Sequence, residues 1–89
     1  MASYSVKIRS AAQKEIRKLP SKGIRAKVIS MINRLHAEPV LDEAKKIKGS
    51  NNIYRIRQGT YRIVYQIHKN KLLIIVIRVR HQKDAYKNL

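Results

Sequence analysis

"YRIRQGTYRIVYQI", residues 54–67, decides the fold. Apolar and polar residues alternate on both sides of a Gln-Gly turn, the pattern of a β-hairpin with one buried face. Tyr54, Ile56, Tyr61, Ile63, Tyr65 and Ile67 fall on one side, as packing residues whose tyrosine hydroxyls reach water. Arg55, Arg57 and Arg62 fall on the other.

Downstream, "KLLIIVIRVR" (71–80) is a third strand. It is apolar on both faces up to Arg78, which suggests a central strand covered on both sides. With no β-bulge, Leu73, Ile75, Ile77 and Val79 extend the apolar face of the hairpin. Arg78 and Arg80 then join Arg55, Arg57, Arg62 and Gln66 around a floor of Val64 and Val76. A bulge would invert that assignment, because the side-chain period is two.

Upstream, "SYSVKIR" (3–9) alternates as a strand with one wet face. A short helix over 10–20 follows, with Ser10 as cap, Gln13 at the capping-box position and Pro20 as stop. Ser21 caps a second helix to about Ala37, whose stripe is Ile24, Val28, Met31, Ile32 and Leu35. The segment 41–52 is polar and connecting, and "HQKDAYKNL" closes the chain as a loop or one helical turn. The expected fold is α+β, in one domain spanning 1–89. An N-terminal strand and an αα-hairpin precede a three-stranded antiparallel meander, completing one four-stranded sheet.

The 89 residues carry 21 Lys+Arg against 5 Asp+Glu, a net charge of +16. Such an excess repels itself and implies a polyanionic partner, nucleic acid first and an acidic protein second. No acidic residue stands between Glu43 and Asp84, and the 44% hydrophobic content excludes a disordered basic tail. Cysteine is absent, and no signal peptide or membrane-length apolar run is seen, so a cytoplasmic location is expected.

Five arginines on one sheet face with no acid beside them read as an anion site, since like charges opposite one another are unfavourable. The carboxylates are scattered, and His36, His68 and His81 lack ligand spacing, so neither metal nor cofactor is expected. A metal-free basic site suits RNA cleavage by the RNA's own 2′-hydroxyl. Arginines stabilise the charge on phosphorus, while His, Tyr or Lys must move the protons. His81, Lys83 and Tyr86 are the candidates.

Over nearly its whole length the chain resembles the RelE toxins of the RelE/ParE superfamily. "YSVKIRSAAQKEIRKLP", "YRIRQGTYRIVYQI" and "IRVRHQKDAY" carry the likeness. The resemblance implies a ribosome-dependent, metal-free mRNA endonuclease of a toxin–antitoxin pair. It places the family's basic pair on Arg55 and Arg57, its strand-opening arginine on Arg62 and its C-terminal tyrosine on Tyr86. The expected catalytic set is Arg57, Arg62, His81 and Tyr86, with Arg55, Arg78, Arg80, Lys83 and Lys48 binding RNA. Some relatives have lysines at Arg55 and Arg57, and many have an arginine at Gln82. The first departure moves the acid–base work toward His81, Tyr86 and Lys83, and the second leaves Arg80 or Lys83 as the substitute, or a weaker cleavage. The implied partners are an acidic antitoxin, mRNA in the ribosomal A site and ribosomal RNA, with no membrane and a monomeric free toxin. Two other functions share this sequence pattern: a ParE-like inhibitor of DNA gyrase, and a non-catalytic module that binds RNA or the ribosome.

Overall fold

In the computed structural model, which describes residues 3–82, two helices cover one face of a sheet. The order is β1 (Ser5–Ile8), α1 (Ser10–Arg17), α2 (Lys22–Arg34), β2 (Lys45–Lys46), β3 (Ile53–Gln58), β4 (Tyr61–His68) and β5 (Leu73–His81). The expected C-terminal helical turn falls on residues 83–89, outside the described residues.

The sheet has five strands, ordered β1-β5-β4-β3-β2, where the sequence reading expected four. The additional strand lies within the segment read as connecting. Lys45 and Lys46 pair antiparallel with Arg55 and Tyr54. The turn is closed by Ile47 N–H donating to Ile53 O at 2.8 Å, and Gly49 supplies the positive φ of 88° that the turn requires. Two residues are too few to show alternation, so composition alone reads them as loop. β3, β4 and β5 form the expected antiparallel meander, and β1 pairs parallel with β5.

The helix boundaries follow local chemistry. Ser21 Oγ accepts the Ile24 N–H at 3.1 Å, capping α2 as expected. Ser10 is instead the first helical residue of α1, and Arg9 at the cap position makes no side-chain cap bond. Gln13 Nε2 reaches back to donate to Ile8 O at 2.8 Å, tying α1 to the end of β1. Ala12 and Ile16 of α1 and Val28, Met31 and Ile32 of α2 pack with Leu35 on Ile56, Ile63, Tyr65 and Ile67 of the sheet.

Tyr65 is fully buried rather than wet at its hydroxyl. The hydroxyl donates to Pro39 O at 2.8 Å, and the ring stacks on Tyr54 at 5.9 Å. Burial, with a smaller contribution from Tyr54, raises its phenol above the usual tyrosine range.

β5 departs from simple alternation. Tyr65 pairs with Val76, yet the preceding residue Val64 pairs with Arg78, so Ile77 is an extra residue in β5. The bulge inverts the faces on either side of it. Ile74 and Val76 point into the helix-side core, and Val79 does so beyond the bulge. Leu73, Ile75 and Ile77 are only half-buried, so they do not extend the apolar face, and that side of the strand is not fully covered. Val76 likewise leaves the proposed floor of the arginine face, where Val64 remains.

This register has a direct test in urea unfolding. Ile74→Ala is expected to cost about 2–4 kcal/mol of unfolding free energy, and Ile75→Ala about 1 kcal/mol or less. The reverse order would contradict the bulge.

Candidate nucleic-acid interface

The sheet face turned away from the helices carries cations in two rows. Arg57, Arg62 and Arg80 stand opposite one another across β3, β4 and β5. One step along, Lys45, Arg55, Val64 and Arg78 form the second row, from β2 to β5. Directly opposed residues have Cβ atoms about 4.5–5.5 Å apart, so the guanidinium groups share one surface.

Arg62 sits at the centre and is only 3% exposed. Its Nε and Nη1 are buried and meet no hydrogen-bond partner among the described residues. A guanidinium keeps its charge in proteins, and leaving one buried and unpaired costs on the order of several kcal/mol. An anion seated on this row would place a counter-charge beside the Arg62 guanidinium.

The acid expected to be absent is present on one flank. Glu15 of α1 reaches the end of β5, where its Oε1 accepts the Val79 N–H at 2.9 Å and its Oε2 accepts from Arg80 Nε at 3.1 Å. Arg78 Nη1 lies 3.7 Å from the same oxygen. β1 stops at Ile8, opposite Val76, so Glu15 takes over the β5 edge where strand pairing ends. It fixes Arg80 while offsetting part of the charge of Arg78 and Arg80. Glu15 is the only acid before Glu38, and that isolation in a basic helix was the available signal.

Not every candidate joins the rows. His81 pairs in register with Tyr61, and the two rings meet edge to face at 5.4 Å and 83°. Tyr61 packs toward the core, so His81 stands on the opposite side of the sheet from Arg62 and Arg80. Lys48 lies in the β2–β3 turn, at the far end of β3 from Arg57. Lys83 and Tyr86 lie outside the described residues. Lys45, by contrast, enters the second row through β2, within the segment whose composition reads as connecting.

Among the described residues no group of three or more His, Cys, Asp or Glu could hold a metal ion, and no helix is long and apolar enough to cross a membrane.

Residues 6–86 match the family model described as the ParE toxin of the type II toxin–antitoxin system parDE. The chain belongs to the RelE/ParE superfamily. Within it, this chain is a RelE-type toxin. Toxin RelG of Mycobacterium tuberculosis is 27% identical over 84 residues, covering 94% of this chain and 97% of RelG. The toxin in the archaeal RelE–RelB complex from Pyrococcus horikoshii superposes with a TM-score of 0.81 at 27% identity, covering 93% of this chain and 99% of that one. The RelB–RelE antitoxin–toxin complex from Methanococcus jannaschii gives 0.75 at 30% identity, with 93% and 98% coverage.

For this RelE-type toxin, the unpaired Arg62 predicts opposed effects on stability and binding. Arg62→Met is expected to raise the unfolding free energy by about 1 kcal/mol or more, because it removes a desolvated charge. Added inorganic phosphate is expected to raise the Tm of the wild type and not that of Arg62→Met. Equal phosphate shifts in both would remove Arg62 from the site.

Proposed function

We propose that this toxin is a metal-free, ribosome-dependent mRNA endonuclease. The observation that carries the reading is the buried, unpartnered Arg62 between Arg57 and Arg80. Three arginines in one row of the sheet face suit a phosphodiester that gains negative charge in its transition state. Arg57, Arg62 and Arg80 would hold the scissile phosphate, and Arg55 and Arg78 of the second row would hold the flanking backbone.

In this reaction the substrate's 2′-hydroxyl oxygen attacks the adjacent phosphorus and the bond to the 5′-oxygen breaks. The products are a 2′,3′-cyclic phosphate and a 5′-hydroxyl. One proton leaves the 2′-hydroxyl and one reaches the departing 5′-oxygen, so a base and an acid are needed beside the arginines. We assign Tyr86 to orient or deprotonate the 2′-hydroxyl. Gln82 N–H donates to Thr60 O at 2.6 Å, so the chain leaves the sheet at the Arg57–Arg62–Arg80 end. Tyr86 follows Gln82 by four positions, a chain length that spans at most about 14 Å. His81 faces the other side of the sheet, which favours Tyr86 over His81 as the group closest to the phosphate. Lys83 would carry a further backbone contact.

An acidic antitoxin is the proposed cognate partner, supported by the net charge of +16 and by the likeness to toxins solved in complex with RelB antitoxins. A second reading, inhibition of DNA gyrase, draws on the ParE description of the matched family model. It would use the same basic face for docking without cleavage.

Mapping mRNA cuts on programmed ribosomes separates the two. Arg62→Ala and Tyr86→Phe are each expected to lower the single-turnover cleavage rate about tenfold or more. Wild-type rates in both variants would contradict this site. Uncut mRNA together with blocked supercoiling would support the gyrase reading.

A further inference from the structure

We infer that a second RNA-backbone site lies at the other end of the sheet, on its helix-facing side. A pocket of about 410 Å³ opens there between the β2–β3 and β4–β5 turns. Its walls carry Lys46, Lys69 and Lys71 with Asn51, Asn52 and Asn70, and no acidic residue lines it. Tyr54 and Ile67 form its apolar back, and both belong to the helix side of the sheet.

Several features hold the wall in place. The Lys46 backbone is held by its register with Tyr54. Asn52 O accepts the Ile67 N–H at 2.9 Å, so the two turns are tied together at this point. Lys69, Asn70 and Lys71 form one 3-10 turn, closed by Leu72 in a left-handed conformation with φ of 48°. Lys46 of β2 and Lys69 and Lys71 of the 3-10 turn line one pocket with no acid among them, so an anion held there would offset their mutual repulsion.

The chemistry favours RNA over an acidic peptide. Protein interfaces depend on an apolar, charge-depleted centre, and this pocket offers mostly lysines and amides. Interfaces with nucleic acid are polar and strongly positive, and asparagine and lysine serve phosphate and sugar oxygens. Asn52, just before β3, and Arg57 are five residues apart, or roughly 17 Å of extended chain, and the two sites are on opposite faces. One phosphate therefore cannot occupy both. The pocket would grip RNA away from the point of cleavage, either ribosomal RNA around the toxin or a distant part of the message. This inference rests on the reading of RNA as the target.

The test measures binding to ribosomes with an empty A site, and separately to an mRNA-length oligonucleotide made uncleavable by 2′-O-methylation, over a range of salt. The variant is Lys46→Ala/Lys69→Ala/Lys71→Ala. A charge-matched control is Lys14→Ala/Lys18→Ala/Lys22→Ala, on the exposed helical side. The pocket variant is expected to lose about tenfold or more in affinity and to reduce the slope of log affinity against log salt by about 2, relative to the control. Lys46→Arg/Lys69→Arg/Lys71→Arg is expected to keep both. Loss confined to ribosomes assigns the site to ribosomal RNA, and loss on the oligonucleotide assigns it to the message. If the wild type binds the oligonucleotide through the pocket yet cuts nothing on ribosomes, the nuclease reading fails and the pocket stands. A pocket variant that matches the control, or no RNA bound in either arm, would overturn the inference.

Discussion

The extra residue at Ile77 governs which face each side chain of β5 occupies. Without it, the parity that buries Ile74 and Val76 would also drive Arg78 and Arg80 into the core, where no partner could satisfy two guanidinium groups. With it, one strand serves two surfaces. Its first half anchors the helices, Val79 completes the core, and the arginines emerge beside Arg57 and Arg62. Bulges bend and twist a strand locally, and this one lies one step from the cation row it orients.

The second organising element is the uneven treatment of charge. Glu15 joins α1 to the end of β5 through two oxygens, one for the Val79 backbone and one for Arg80. The outer arginines are thereby partly compensated, whereas Arg62 is buried with its Nε and Nη1 unsatisfied among the described residues. A protein selected for stability alone would fill that position with an apolar side chain. Keeping a guanidinium there is the kind of cost that folds bear at sites of function.

Much of this was legible in the sequence. The alternation of Tyr54 to Ile67 identifies the hairpin and its faces, and the register confirms Arg55, Arg57 and Arg62 on the side away from the helices. Ser21 before an apolar stripe marks the start of α2. Other features carry no local signature. "LLIIVI" (72–77) is apolar at every position, so periodicity cannot reveal a bulge within it. The Lys45–Lys46 strand exists only because β3 offers a free edge. Glu15 and Arg80 meet across 65 residues of chain, a contact that tertiary folding makes and local pattern does not encode. His81 looked close to the arginines because it follows Arg80, yet adjacent residues on a strand face opposite ways.

The central claim is that the face away from the helices is a phosphate site built around Arg62. Its most direct test is the ¹⁵N–¹H resonance of the Arg62 Nε group during titration with inorganic phosphate and then with an uncleavable mRNA oligonucleotide. The account predicts that this signal shifts with both ligands, together with those of Arg57 and Arg80, while the Tyr61–His81 side stays constant. An unmoved Arg62 resonance, with shifts confined to the opposite face, would contradict it.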